Sequence, residues 1–161
     1  MARRAILSAV AAAVLLGCGD GSGPSRAVEG FAAAMSDSSY GQAWELLTPS
    51  TRAQYDSTMA VLHRFGWRES REALTELAGE LSEEQFDTLS GRGLFALSSA
   101  ASSEAGGISD AVESVSYPDS GLAVVVLKTD NGPQEVVVRR IGGSWLLDLT
   151  ELRPPVPPSE E

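Results

Sequence analysis

Few side chains in this 161-residue chain are equipped for chemistry, and the scarcest say the most. There is one cysteine, Cys18, and one histidine, His63. A single thiol makes no intrachain disulfide, and a structural zinc site needs about four ligands, so no disulfide framework and no metal are expected. His63 is the side chain whose ordinary pKa lies nearest neutrality, which qualifies it as a general base. Its place between Leu62 and Arg64, at the close of a predicted helix, instead suits a partner for the last carbonyls of that helix. No Gly-x-Ser-x-Gly elbow supports a serine nucleophile, and neither a Gly-x-Gly-x-x-Gly fingerprint nor a phosphate loop occurs, so no cofactor is expected. Arg139-Arg140 at a strand end puts one guanidinium on each sheet face, where one meets either an anionic ligand or Asp148 on the neighbouring strand. Glu83-Glu84 near a helix start is accounted for by the helix dipole.

The setting of Cys18 is specific. Met1-Ala2-Arg3-Arg4 is a short basic stretch, residues 5–16 are an uncharged apolar run, and Leu15-Leu16-Gly17-Cys18 closes it. The run is shorter than the ~20 apolar residues of a membrane span, and the layout is that of a cleavable secretory signal. Leu15-Leu16-Gly17-Cys18 resembles the lipobox of bacterial lipoproteins. The resemblance implies diacylglycerol on the Cys18 sulfur, cleavage before it, and a membrane attachment carried by the lipid at Cys18. Two or three acyl chains anchor stably where one holds marginally. With Gly19, not Asp, after the cysteine, the resemblance implies the outer membrane facing the periplasm, the alternative being the outer face of the inner membrane.

The formal net charge is -10, and removal of Arg3 and Arg4 with the signal makes it more negative still. Such a chain offers no basic surface for nucleic acid and no electrostatic footing on anionic lipid. The expected organisation is a signal at 1–17, a lipidated cysteine and Gly/Ser tether at 18–24, one domain at 25–152, and a Pro-rich acidic tail at 153–161.

Helical periodicity comes before strand periodicity. Val28, Phe31, Ala32 and Met35 make one stripe, with Pro24 suited to a first turn. Ser39-Tyr40-Gly41-Gln42 reads as a capping box opening a helix with Ala43, Trp44 and Leu47. Thr48-Pro49 pairs an N-cap oxygen with proline at the first helical position, and Tyr55, Met59 and Leu62, then Phe65 or Gly66, carry that helix to its end near Gly66. Leu74, Leu77, Ala78 and Leu81 continue, Ser82-Glu83-Glu84-Gln85 is a second capping box before Phe86 and Leu89, and Gly91-Arg92-Gly93 interrupts. Leu94, Phe95, Leu97 and Ser98 form a last helix ahead of a small-residue loop at 102–107. β-Branched strands follow at 112–117, 122–128, 136–141 and 145–149, separated by Pro118-Asp119-Ser120-Gly121, Asp130-Asn131-Gly132 and Gly142-Gly143. Trp145, Leu147 and Leu149 share one face of the last strand, and Leu146, Asp148 and Thr150 the other.

Phe31 onward (Phe-Ala-Ala-Ala-Met), Tyr40 to Arg52, Leu122-Ala-Val-Val-Val, Val136-Val-Val-Arg-Arg and Gly143-Ser-Trp-Leu-Leu-Asp-Leu together resemble the opening helices and closing strands of nuclear transport factor 2-like lipoproteins. The resemblance implies an α+β fold, a cone in which amino-terminal helices pack on a curved four-stranded antiparallel meander, with Trp145 filling the cone. Residues 67–107 exceed what its compact members supply. The superfamily mixes enzymes with non-catalytic modules, so it assigns no activity. Its enzymes place a carboxylate with a Tyr, His or second acid inside the cone. Here Asp148, Tyr55, Tyr117 and His63 are the materials for such a set. The expected function is a non-catalytic binding or interaction module of the cell envelope, taking a small ligand or an envelope protein through Tyr55, Tyr117, Arg139 and Asp148. The alternative is a small isomerase- or hydrolase-like enzyme using Asp148 or His63. An open polar pocket around either would favour the enzyme, and a filled apolar cone the binding module.

Overall fold

In the computed structural model the described residues are 23–102, 111–129 and 132–151. The expected signal, Cys18, all but the end of the expected tether, residues 103–110, Asp130, Asn131 and the expected tail lie outside them. Among the described residues the order is six helices and then four strands, an α+β architecture: α1 (Pro24–Ser36), α2 (Tyr40–Glu45), α3 (Pro49–Phe65), α4 (Trp67–Ala78), α5 (Glu83–Asp87), α6 (Gly91–Ser102), β1 (Ala111–Asp119), β2 (Leu122–Thr129), β3 (Gly132–Ile141) and β4 (Ser144–Asp148). A 3₁₀ turn, Leu149–Glu151, follows β4. The sheet is an antiparallel meander in the order β1-β2-β3-β4.

Local chemistry explains most helix ends. Thr48 accepts the Thr51 N–H with its side chain ahead of Pro49, and Ser82 and Gln85 close a reciprocal capping box. Ser39 differs from its expected role. It holds the N-cap position of α2, but the Gln42 N–H that a capping box would use goes to its carbonyl at 2.8 Å, and its side chain makes no cap hydrogen bond. The Gly91-Arg92-Gly93 segment also corrects the expectation, since it is the first turn of α6 and not a break. A Cβ on Gly91 would sit 2.6 Å from the Asp56 backbone nitrogen, so glycine is there to let α6 approach α3.

Gly66 and Gly79 bracket α4 with φ of 85° and 81° and extended ψ of 170° and -173°. That region of backbone space is open essentially to glycine alone. α4 therefore turns back on α3, where the Ser70 hydroxyl donates to the Leu62 carbonyl at 2.9 Å.

Two apolar cores result. The larger joins Val28, Phe31, Trp44, Leu47 and Phe95 to the inner sheet face, Val125, Val138 and Leu147. The smaller packs Met59, Leu74, Ala78, Phe86 and Leu94 in the helical segment α3–α6. The interior of the larger core belongs to Phe95, Trp44 and the leucines. Trp145, expected to fill it, is only partly buried at its margin and meets Tyr117 from the opposite edge strand at 6.2 Å. Pairing of β4 stops at Asp148, and Leu149, expected to end the strand, opens the 3₁₀ turn while still packing on the core. Beside β4, Leu147 receives a hydrogen bond from the Thr48 N–H (2.9 Å) and donates one to the Leu46 carbonyl (2.8 Å), which covers that sheet edge.

Candidate functional site

α3 carries more than its apolar stripe. Thr51, Gln54, Tyr55 and Thr58 recur at helical spacing and form a neutral polar face next to Met59. Opposite stand Leu94, Ser98 and Ser102 of α6, with Leu77 of α4 at one side and Leu149 at the other. Together they line a cleft of about 400 Å³, within the range of small-molecule sites. None of these lining side chains bears a charge. Tyr55 is the anchor: its ring stands edge-on to Phe95 at 5.5 Å and to Trp44 at 5.9 Å. Burial pushes the Tyr55 phenol above its ordinary value, and the hydrogen bond with Ser98 only partly counters this. The hydroxyl thus stays protonated at neutral pH and offers both a donor and an acceptor.

Asp148 does not line the cleft. Burial acts to raise its carboxyl, but hydrogen bonds from Thr150 and Arg139 outweigh that and hold it below the usual carboxylate range. The Thr150 hydroxyl donates to Oδ1 at 2.6 Å, the Thr150 N–H at 3.1 Å, and Arg139 Nε donates to Oδ2 at 2.7 Å. Arg139 reaches Glu151 as well. The same contacts, led by the Asp148 hydrogen bond, raise the Arg139 guanidinium. Arg139 and Asp148 are therefore a cross-strand ion pair, one of the two outcomes open from the sequence. The Thr51 hydroxyl links this pair to the cleft. It receives the Leu149 N–H at 3.0 Å and lies 3.0 Å from the Thr48 hydroxyl and 3.5 Å from Asp148 Oδ1.

The remaining candidates are elsewhere. Tyr117, 60% exposed, sits on β1 against Trp145, outside the cleft. His63 Nε2 lies 2.9 Å from the Phe86 carbonyl with its ring edge-on to Phe86, a bond that fastens α5 to α3. The structure brings Arg139 and Asp148 together and leaves Tyr55 and Tyr117 apart. Of the four residues singled out as ligand-binding, Tyr55 alone faces the cleft. The hydroxyls at Thr51, Thr58 and Ser98 were not singled out, although the i, i+3/i+4, i+7 spacing of polar residues along α3 was visible.

A narrower slot of about 200 Å³ opens between α1 and the sheet, lined by Val28 and Phe31, by Leu127 and Val136, and by Leu147 and Leu149, with Thr129 and Gln134 also on its wall. Among the described residues no group of three or more His, Cys, Asp or Glu side chains is placed to hold a metal ion, and no helix is long and apolar enough to cross a membrane. Comparison with protein-family models, with curated proteins and with solved structures finds no significant match.

Proposed function

We propose that this chain is a lipid-anchored binding module of the bacterial envelope, built as a nuclear transport factor 2-like cone, whose cleft between α3 and α6 takes a small uncharged ligand. The observation that carries the binding reading is the contrast between the cleft and the ionisable groups. The cleft is lined by hydroxyls, one amide and apolar side chains, whereas Asp148 and His63, the acid and base an enzyme would use, are committed to Arg139, Thr150 and the Phe86 carbonyl. The anchor rests on the basic start, the apolar run and Leu15-Leu16-Gly17-Cys18. The cone is supported by the order of helices before a meander and by the Tyr117–Trp145 contact. Strands lie about 4.8 Å apart, so rings on the two outer strands of four meet readily when the sheet curves.

Two measurements test this. Mass spectrometry of the chain from its native membrane fraction is expected to find a polypeptide beginning at Cys18 and carrying acyl chains; an intact leader or a bare thiol overturns the anchor. In a ligand-observed NMR screen of small compounds, uncharged hits are expected to vanish in Ser98→Trp, which fills the cleft. Hits that survive, or that are turned over in a reaction lost with Asp148→Asn, overturn the binding-module reading.

A further inference from the structure

The cleft and the slot are neighbours, and the cleft is the more polar of the two. Leu149 lines both, presenting its half-buried side chain at the boundary between them. On one side stand the hydroxyls of Tyr55, Thr58 and Ser98; on the other the surface is almost wholly Val, Leu and Phe. The slot alone, at about 200 Å³, falls below the ~300–1,000 Å³ of self-sufficient ligand sites, while cleft and slot joined reach well into that range. Resting on the binding reading above, we propose that they form one site for an uncharged single-chain amphiphile, its polar head among the hydroxyls of the cleft and its hydrocarbon tail running past Leu149 into the slot.

The lining argues for each part of that ligand. No Lys or Arg lines either space, and the chain's net charge of -10 repels a carboxylate or phosphate head. No Asp or Glu lines them, so a cationic head finds no counter-charge. Hydroxyls and an amide suit the alcohol and ester groups of a neutral head, which would otherwise be buried unpaired. Burial of apolar surface supplies the tail's contribution, so affinity should climb with chain length until the slot is full. Leu149 is held at this boundary through its backbone N–H, which donates to the Thr51 hydroxyl at 3.0 Å.

Isothermal titration of the purified chain with monodecanoylglycerol, monobutanoylglycerol and decanoate tests the proposal. The ten-carbon glyceride is expected to bind at least tenfold more tightly than the four-carbon one and than decanoate. Leu149→Trp is expected to erase the chain-length advantage. Gln134→Trp, narrowing the slot from the β3 side, should do the same and serves if the Leu149 variant fails to fold. Equal affinity for both glycerides overturns the amphiphile proposal and leaves the cleft as a small-ligand site. Binding of decanoate as tight as that of the glyceride overturns the uncharged head. Failure of both glycerides to bind overturns the proposal, and retention of a Ser98-dependent hit in the compound screen then separates that failure from failure of the cleft itself.

Discussion

The two cores of this domain are built on different principles. The sheet-side core gathers residues from Ala27 to Leu147, nearly the whole described length, and its apolar groups are sealed: Val125 and Val138 are fully covered. The smaller, helical core draws its five buried residues from 59–94 alone and leaves Val61, Phe65 and Leu77 between 48% and 62% exposed around it. α3 and α6 belong to both. On α6 the adjacent Leu94 and Phe95 point into different cores, and Tyr55 of α3 packs against each. Two packed bodies that share their helices but not their interiors cannot both close over the seam. The cleft lies there, along the polar stripe of α3, with Tyr55 shared between the two cores.

Emptying each core in turn tests whether the two are independent. Phe95→Ala and Phe86→Ala should each remove about 3–5 kcal/mol from the packing they serve. In hydrogen exchange, Phe95→Ala is expected to lower protection throughout the sheet and helices, whereas Phe86→Ala lowers it in α4 and α5 and spares β2 and β3. Uniform loss in both variants would mean a single cooperative core. Next in size, Asp148→Asn should cost about 2 kcal/mol in urea unfolding, because a half-exposed Arg139 loses its buried partner. The acid dependence carries its own sign. The folded carboxyl lies below its unfolded value of 3.8, so its contribution is complete above that value and disappears as pH falls through the lower folded one. Asp148→Asn is therefore expected to flatten the stability curve below about pH 4, and an unchanged acid limb would refute the pairing. Gly79→Ala should cost about 1–2 kcal/mol through backbone strain alone, since nothing lies within 4 Å of the added Cβ, and by hydrogen exchange the loss should stay in α4 and α5. Smallest is a pair of caps: thermal melting should register about 1 kcal/mol for Ser82→Ala and under about 0.5 kcal/mol for Ser39→Ala, whose hydroxyl caps nothing.

The elements were largely legible because they follow local rules. Thr48-Pro49 and the Ser82 box set helix starts with residues a few positions apart, and the Gly142-Gly143 turn set a hairpin. Helix and strand periods also gave the α+β order and the meander. What escaped depends on partners distant in sequence. Gly91 looks like a helix breaker until Asp56, which it packs against, is known. Trp145 looks like core until Tyr117 meets it at the sheet's margin. The polar stripe of α3 gave no sign of lining a cleft because Leu94, Ser98 and Ser102 of α6 and Leu149, which supply facing walls, lie 36 or more residues further along the chain. Arg139 and Asp148 were readable as partners because a hairpin fixes which residues become neighbours. The lipid anchor was read from Cys18 and its flanks, and no part of that reading draws on the folded domain.

The bonds joining Thr48 and Thr51 to Leu147 and Leu149 span close to one hundred residues. Contacts so distant along the chain form late, since the intervening loop must close before they contribute. A ribosome would release most of this polypeptide before its amino-terminal helices found the strand that completes them. On the proposal that the chain is exported, that delay would keep it open until its passage through a translocation channel is under way.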